Sequence, residues 1–180
     1  MQPFAPFTGV LVLADRAMFG STSPVMLGNG EPVASIRWHN WTARARFEIL
    51  DPAGSSLLAS GSRVGFWGRS YRVLGPRQEP VMDLKLSGWG PSGRSAVTLP
   101  SGRLLSTKGN WSARKFAVVD ETGASVAQLV TTGSRFSFRP DSLAFELKSP
   151  VLSIVQAIGL AQCMRAAVEA QRKSAAAASG

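Results

Sequence analysis

Alternating apolar and polar residues recur along most of the chain, and each alternating run is followed by a short cluster of turn residues. An alternation with a period of two brings every second side chain to the same face of a strand. Two such runs on either side of a turn predict a β-hairpin. Six segments have this pattern: PVMLGNGEPVASI, RFEILDPAGSSLLAS, YRVLGPRQEPVMDLKL, SAVTLPSGRLLST, KFAVVDETGASVAQLV and FSFRPDSLAFELK. The sequence therefore predicts six hairpins, or about twelve strands.

One of these hairpins occurs twice. The stretch NWTARARFEILDPAG is followed seventy residues later by NWSARKFAVVDETG. The second copy is one residue shorter before its Phe, after which Phe47 and Asp51 match Phe116 and Asp120 at a constant offset of 69. This similarity indicates a repeated structural unit.

Tryptophans mark the connections between the predicted hairpins. Trp41, Trp67, Trp89 and Trp111 all lie in such connections. An indole ring has a large apolar body and one polar N–H group, which suits it to closing the end of a barrel. A role in stacking on a ligand is the alternative, and we favour the closing role.

The composition changes after Pro150. The segment KSPVLSIVQAIGLAQCMRAAVEAQRK has no turn residue except Gly159 and ends in strong helix formers, which predicts one helix over about 150–172. From Val151 to Ala161 this helix is apolar on nearly every side, so protein or lipid must enclose it. The apolar run reaches Arg165 well short of a bilayer span, and we therefore expect no transmembrane segment.

A closed sheet offers the space that such a helix needs. A barrel of about twelve antiparallel strands is too wide for its own side chains to fill. The sequence thus predicts a mainly β fold, a closed antiparallel barrel that encloses the C-terminal helix. With 180 residues the chain forms one domain, which we expect over residues 8–172 with flexible ends at 1–7 and 174–180.

Candidate catalytic and metal-binding groups are few. The single histidine, His39 in RWHNW, is interpreted as a surface or cap residue and not as a general base. The single cysteine, Cys163, leaves no internal disulfide and no Cys/His zinc set. No G-x-S-x-G elbow or Walker lysine occurs, and Asp51, Asp120 and Glu121 fall at hairpin tips where Asp commonly caps its own turn. We therefore expect no enzymatic activity, no cofactor and no metal.

Charge gives the clearest functional signal. Lys and Arg number 20 against 11 Asp and Glu, so the formal net charge is +9, and such an excess attracts anionic surfaces. Strand alternation turns most candidate basic residues outward if Phe47 and Phe116 face the core. The candidate anion-binding residues are Arg44, Arg46, Arg72, Lys85, Arg114 and Lys115, of which Arg114 points outward only if the second repeat contains a bulge. The alternative is an ordinary soluble surface with scattered arginines.

The pattern of hairpins and helix resembles the tubby C-terminal-like superfamily, which includes LURP-one-related proteins of plants and phospholipid scramblases. FEILDPAG, FAVVDETG, RFSFRPDSLAFEL and PVLSIVQAIGLAQC carry this resemblance, which covers about residues 8–172. It implies a twelve-stranded barrel around the C-terminal helix. From the tubby branch it also implies binding of phosphoinositide headgroups through Lys and Arg.

The chain departs from the scramblase branch in two respects. It has no D-x-[DN]-x-[DN]-G calcium loop ending in Glu, and Asp141 in RPDSLAFEL has only Glu146 near it in sequence. It also lacks the Cys-rich palmitoylation segment and the Pro-rich extension of animal scramblases. These departures argue against calcium-activated lipid scrambling.

The combined expectation is a non-catalytic binding module of the LURP-one and scramblase type that associates with anionic phospholipid headgroups, including phosphoinositides. Nucleic acid bound through its phosphates, or another protein, is the alternative partner. The N-terminus has no basic region before its short apolar run and no clear cleavage site, so we expect no signal peptide. The expected location is the cytoplasm, at the inner face of the membrane.

Overall fold

The computed structural model describes residues 2–14, 22–39, 46–65, 69–87, 95–110, 115–130 and 142–178. These ranges contain twelve strands and one helix. The strands are β1 (Gly9–Leu13), β2 (Ser23–Leu27), β3 (Pro32–His39), β4 (Arg46–Leu50), β5 (Leu57–Val64), β6 (Ser70–Leu74), β7 (Pro80–Leu86), β8 (Ser95–Thr98), β9 (Leu104–Asn110), β10 (Lys115–Val119), β11 (Ser125–Val130) and β12 (Leu143–Leu147). The helix is α1 (Ile154–Ala178).

The twelve strands form one closed antiparallel barrel in the order β1-β12-β11-β10-β9-β8-β7-β6-β5-β4-β3-β2. Each strand pairs with two neighbours, so the described sheet has no open edge that could pair with another chain. The predicted barrel is confirmed.

Five of the six predicted hairpins are present, from β2–β3 to β10–β11. The last pair of strands forms differently, because β12 lies between β11 and β1 and pairs with both. The predicted partner of β12, the FSF segment, and its turn lie outside the described residues. Strand β1 was not predicted, because its sequence GVLVL does not alternate between apolar and polar residues. The structure gives the reason: even Val12, which points away from the core, is only 3% exposed.

The two ends of the barrel are built differently. At one end, which we name the tip end, short turns at residues 28–31, 51–56, 75–79, 99–103 and 120–124 join the strands of each hairpin. At the opposite end, which we name the connection end, one hairpin leads to the next. The four tryptophans of these connections lie outside the described residues, so their closing role stays a prediction.

The repeated stretch is the same structural unit built twice. Each copy has a shift in strand register at the equivalent position, between Ile49 and Leu50 in β4–β5 and between Val118 and Val119 in β10–β11. These positions keep the offset of 69 found in the sequence. A β-bulge bends the strand and increases its twist, so both copies turn in the same way just before the tip end.

An aspartate organises the turn that follows each bulge. The Asp51 carboxylate accepts hydrogen bonds from the amides of Ser55 and Ser56 at 2.7 and 3.1 Å. The Asp120 carboxylate accepts bonds from two amides of its own turn at 2.9 and 3.0 Å. Gly54 in the first turn and Gly123 in the second have positive φ angles of 74° and 87°, which glycine adopts without a steric penalty. The predicted local role of these aspartates is confirmed.

Helix α1 runs through the barrel from the tip end to the connection end. At its start, Ser153 Oγ accepts a hydrogen bond from the backbone amide of Gln156 at 3.2 Å. In return, Gln156 Oε1 accepts one from the backbone amide of Ser153 at 2.9 Å. This reciprocal capping box fixes the first turn. At the connection end, Arg165 Nη1 donates to the Ala14 carbonyl at 2.9 Å.

The helix fills the interior, as predicted. From Ile154 to Val168 every side chain is buried except those of Gln156 and Arg165, which are half-buried. Gly159 allows the helix to come close to the sheet, because a Cβ atom there would lie 3.2 Å from Val73 Cγ2. The enclosed part is longer than the predicted apolar run.

Hydrogen bonds and helical structure extend toward both ends of the described chain. The Phe7 amide donates to the Leu152 carbonyl at 3.0 Å, and the Val155 amide donates to the Pro3 carbonyl at 3.2 Å. The N-terminal segment therefore crosses the start of the helix. At the other terminus α1 continues to Ala178, beyond the predicted end near 172, and its side chains from 171 to 178 are exposed.

Ending the chain after Lys148 should remove the helix and leave an empty apolar interior. The loss of stability should far exceed the roughly 2–5 kcal/mol of a single buried Leu→Ala change, so the product should be insoluble or molten. Ending the chain after Ala170 is the matched control, because the described residues that it removes, 171–178, are all exposed. Calorimetry would contradict the enclosed helix if the shorter chain were soluble and melted cooperatively.

The two turn aspartates predict a specific pH dependence of stability. Hydrogen bonds lower the pKa of both carboxyls, chiefly from the Ser56 amide at Asp51 and from the Thr122 hydroxyl at Asp120. A lowered pKa in the folded state adds stability above the unfolded pKa of about 3.9, and this stability is lost as the pH falls through the folded pKa. Asp120→Ala should therefore lower the melting temperature at pH 7.

The difference in melting temperature between wild type and Asp120→Ala should stay constant from about pH 5 to pH 8 and shrink below about pH 3.9. The control is Glu121→Ala, which removes the adjacent carboxylate with its single 3.3 Å bond from the Leu104 amide. A difference that grows on acidification would contradict the predicted direction.

Candidate anion-binding surface

Charge is distributed unevenly along the barrel axis. The turns of the tip end and the segment before the helix carry three basic residues against five carboxylates, a formal charge of −2. The basic residues are Arg77, Arg103 and Lys148, and the carboxylates are those of Glu31, Asp51, Glu79, Asp120 and Glu121. This end of a strongly basic protein is thus slightly acidic.

The connection end has the opposite charge. Its described residues include eight basic positions, which we name the basic rim, and one carboxylate, that of Glu169, giving a formal charge of +7. The basic rim consists of Arg46, Arg63, Arg69, Lys85, Lys115, Arg165, Arg172 and Lys173. The sequence of the connections that join strands at this end adds six arginines and two aspartates, all outside the described residues. Most of the excess positive charge therefore belongs to one end of the barrel.

The candidate residues predicted from strand phase fall into two groups. Arg46 belongs to the basic rim, and so does Lys115 as the first residue of β10. Lys85 belongs to it too, one residue before the end of β7, whereas Arg72 lies on the outer wall, on β6. Arg44 and Arg114, and the side chain of Lys115, lie outside the described part of the chain.

Three of the predicted residues share one outer surface. Arg46 pairs with Ser62 of β5, and Ser62 pairs in turn with Arg72 of β6. Arg46 and Arg72 are thus separated by one strand, or about 10 Å between backbones. Lys85 is diagonal to Arg72, because it lies two residues beyond Asp83, the partner of Arg72. Lys85 is exposed and makes no ion pair with another described residue.

Arg72 is not a free cation. Its Nε lies 2.7 Å from Asp83 Oδ1, and the two side chains are 52% and 43% exposed. An exposed pair of this kind contributes about 0–1 kcal/mol to stability, but it neutralises the charge of Arg72 toward a ligand. The sequence could have indicated this pair. In MDLKL, Asp83 lies two residues before Lys85 and so turns to the same outer face, where it can meet an outward basic residue such as Arg72 on the neighbouring strand.

Glu48 gathers three basic side chains on the wall formed by β3 and β4. Its carboxylate lies 3.3 Å from Arg37 Nη1, 3.1 Å from His39 Nε2 and 3.9 Å from Arg46 Nη2. The Glu48 side chain is 16% exposed, whereas that of Arg46 is 54% exposed. The contact with Arg46 is the longest of the three, so this member of the basic rim remains available to an anionic ligand.

The interior near the connection end contains polar side chains as well. Arg63 and Tyr71 are cross-strand neighbours, and burial raises the pKa of Tyr71 to about 12, so its phenol stays neutral at physiological pH. Tyr71 Oη and both polar atoms of Gln162 are buried and have no hydrogen-bond partner in the described structure. Because Gln162 is fully enclosed, its unpartnered amide opposes folding.

Neither a membrane-spanning helix nor a metal cluster is found in the described part of the chain. No described helix combines the length and the apolar character needed to cross a bilayer. No three His, Cys, Asp or Glu side chains converge among the described residues.

Comparison with known proteins identifies a structural relative. No family model and no curated protein sequence matches the chain. The X-ray structure of a protein from Arabidopsis thaliana, AT5G01750, is similar, with a TM-score of 0.63 over 91% of this chain and 93% of that chain. The two sequences are 14% identical, so the similarity shows a shared fold and nothing further.

The buried amide of Gln162 predicts that an apolar substitution stabilises the protein. Gln162→Met keeps the shape of the side chain and removes two unpartnered polar atoms, so it should raise the free energy of unfolding by about 1–3 kcal/mol. Gln156→Met is the matched control, because the side-chain amide of Gln156 does have partners. Its Nε2 donates to the Val81 carbonyl at 3.3 Å, and its Oε1 caps the start of the helix by accepting from the Ser153 backbone amide. Urea denaturation that found both substitutions equally destabilising would contradict the unpartnered state of Gln162.

Proposed function

We propose that this protein is a non-catalytic binding module of the tubby C-terminal-like type, related to LURP-one and scramblase proteins, and that it attaches to anionic phospholipid surfaces. The observation that carries the proposal is the charge asymmetry between its ends, +7 on the described connection end against −2 on the tip end. A protein polarised in this way meets a negative surface with one end first. The connection end then faces the membrane.

The family part of the proposal rests on architecture and on the repeat. The resemblance noted from FEILDPAG and FAVVDETG coincides with the two hairpins that share a bulge and an aspartate-bound turn. The barrel around a C-terminal helix and the common fold with the Arabidopsis thaliana protein agree with it.

Electrostatic attraction of this size is sufficient for reversible attachment. Each basic residue near an anionic membrane contributes about 1 kcal/mol, so a few exposed members of the basic rim hold the protein without any inserted anchor. Arg172 and Lys173 are fully available, because they lie on the part of α1 that extends beyond the barrel. Salt screens such contacts over about 8 Å at physiological ionic strength, so the attachment weakens as salt rises.

Nucleic acid is the second candidate, because its phosphates attract the same charge. Sequence-tolerant binding of single strands also uses exposed aromatic rings on which bases stack. In the described part of the connection end, Trp38, Phe47, Tyr71 and Phe116 are all buried. This arrangement favours a lipid surface over nucleic acid.

Two triple variants test the proposal and its orientation. The rim variant changes Arg46, Arg172 and Lys173 to Gln, and the tip variant changes Arg77, Arg103 and Lys148 to Gln; both lower the net charge by three. Flotation with phosphatidylserine vesicles should show about a hundredfold weaker binding for the rim variant, from about 1 kcal/mol per residue. The tip variant should bind nearly as wild type does.

Three results would contradict the proposal. Wild type that ignores anionic vesicles at low salt would exclude lipid attachment. Equal loss in both variants would show that net charge acts without orientation. Tighter binding to single-stranded nucleic acid than to vesicles, with the same loss in the rim variant, would favour the second candidate.

A further inference from the structure

A cavity of about 310 Å³ opens at the tip end, at the opposite end of the barrel from the basic rim. Its walls are largely apolar. They are formed by Val33, Leu58 and Ile154 and by the prolines Pro3, Pro32 and Pro52, and two carboxylates, those of Glu31 and Asp51, complete the lining. A volume near 300 Å³ is at the small end of the range for ligand sites, so this cavity suits a short molecule.

Four separate segments of the chain build the cavity. The N-terminal segment contributes Pro3, which is fixed by the 3.2 Å bond from the Val155 amide to its carbonyl. The start of α1 contributes Ile154, which is 1% exposed. The remaining lining residues come from the β2–β3 and β4–β5 hairpins. Proline side chains lose little entropy on binding, so the walls are preorganised.

The charge of the cavity differs from that of the protein as a whole. The Asp51 carboxyl is held ionised by the turn amides, which lower its pKa. The Glu31 side chain is exposed and has no ion pair among the described residues. No Lys or Arg is among the described lining residues. The described lining is thus negatively charged in a protein with a net charge of +9.

The start of α1 offers few free donors to a competing anion. A helix N-terminus attracts anions through its free amides. Here the Val155 backbone amide already donates to the Pro3 carbonyl, and the Gln156 backbone amide donates to Ser153 Oγ. These two donors are therefore not available to an anion in the cavity.

We propose that this cavity binds a small organic cation, an alkylammonium group on a short apolar stem. The ammonium lies at the carboxylates of Glu31 and Asp51, and the stem contacts the leucine, valine and proline walls. Phe4 and Leu57, which adjoin the lining residues Pro3 and Leu58 in sequence, are apolar and 49% and 39% exposed. The site is independent of the proposed membrane attachment, which uses the other end of the barrel.

n-Butylamine is the probe, and n-butanol and butyrate are its neutral and anionic counterparts. Titration is followed by the methyl NMR signals of Val33, Leu58 and Ile154. Butylamine should shift these signals saturably at pH 7, where it is protonated, and the affinity should fall with added salt. Butanol should bind at least roughly tenfold more weakly, because it lacks the charge-assisted bonds, and butyrate should not bind.

Glu31→Gln removes the exposed carboxylate and should weaken butylamine binding at least roughly tenfold. Glu121→Gln is the matched control, since it removes a carboxylate from the same end outside the cavity lining and should leave the affinity unchanged. The proposal is overturned if butylamine produces no saturable shifts, if butanol binds as well, or if the two variants behave alike. Vesicle flotation of Glu31→Gln should match wild type, so failure here and failure of membrane attachment are distinguishable.

Discussion

The mutual dependence of α1 and the barrel is the constraint from which the rest of the structure follows. A twelve-stranded barrel cannot fill its own interior, and a helix that is apolar on every side cannot remain in water. The stretch from Ile154 to Val168, about 22 Å long, meets both requirements at once. Neither element is stable alone, so the fold has to form as one cooperative unit.

Because the helix occupies the interior, ligand binding has to take place at the two ends or on the wall. The helix also makes the ends different. It enters at the tip end, where the N-terminal segment and a capping box hold its first turn and where the acidic cavity forms. It leaves at the connection end, where Arg172 and Lys173 join the arginines of the strand ends. The topology thus brings the basic residues of separate segments together at one end.

Local pattern predicted the elements of this fold but not everything that closure brings together. The five hairpins, the repeat and the enclosed helix were accessible because each has a periodic or turn signal within a few residues. β1 has none, since GVLVL is apolar at every position after its glycine. Arg63 and Arg172 join the basic rim only once twelve strands close around α1, which strand phase cannot predict one strand at a time. The cavity likewise depends on Pro3 meeting Ile154, a contact between distant parts of the sequence.

The residue types at the exposed end of α1 favour one kind of membrane contact for the proposed attachment. Its last eight helical residues, 171–178, extend about 12 Å beyond the enclosed part and contain no apolar side chain larger than alanine. Insertion into a bilayer needs larger apolar groups, as on an interfacial amphipathic helix. Arg172 and Lys173 offer charge instead. The proposed attachment is therefore electrostatic and reversible, and the helix keeps its large apolar residues inside the barrel, where the fold requires them.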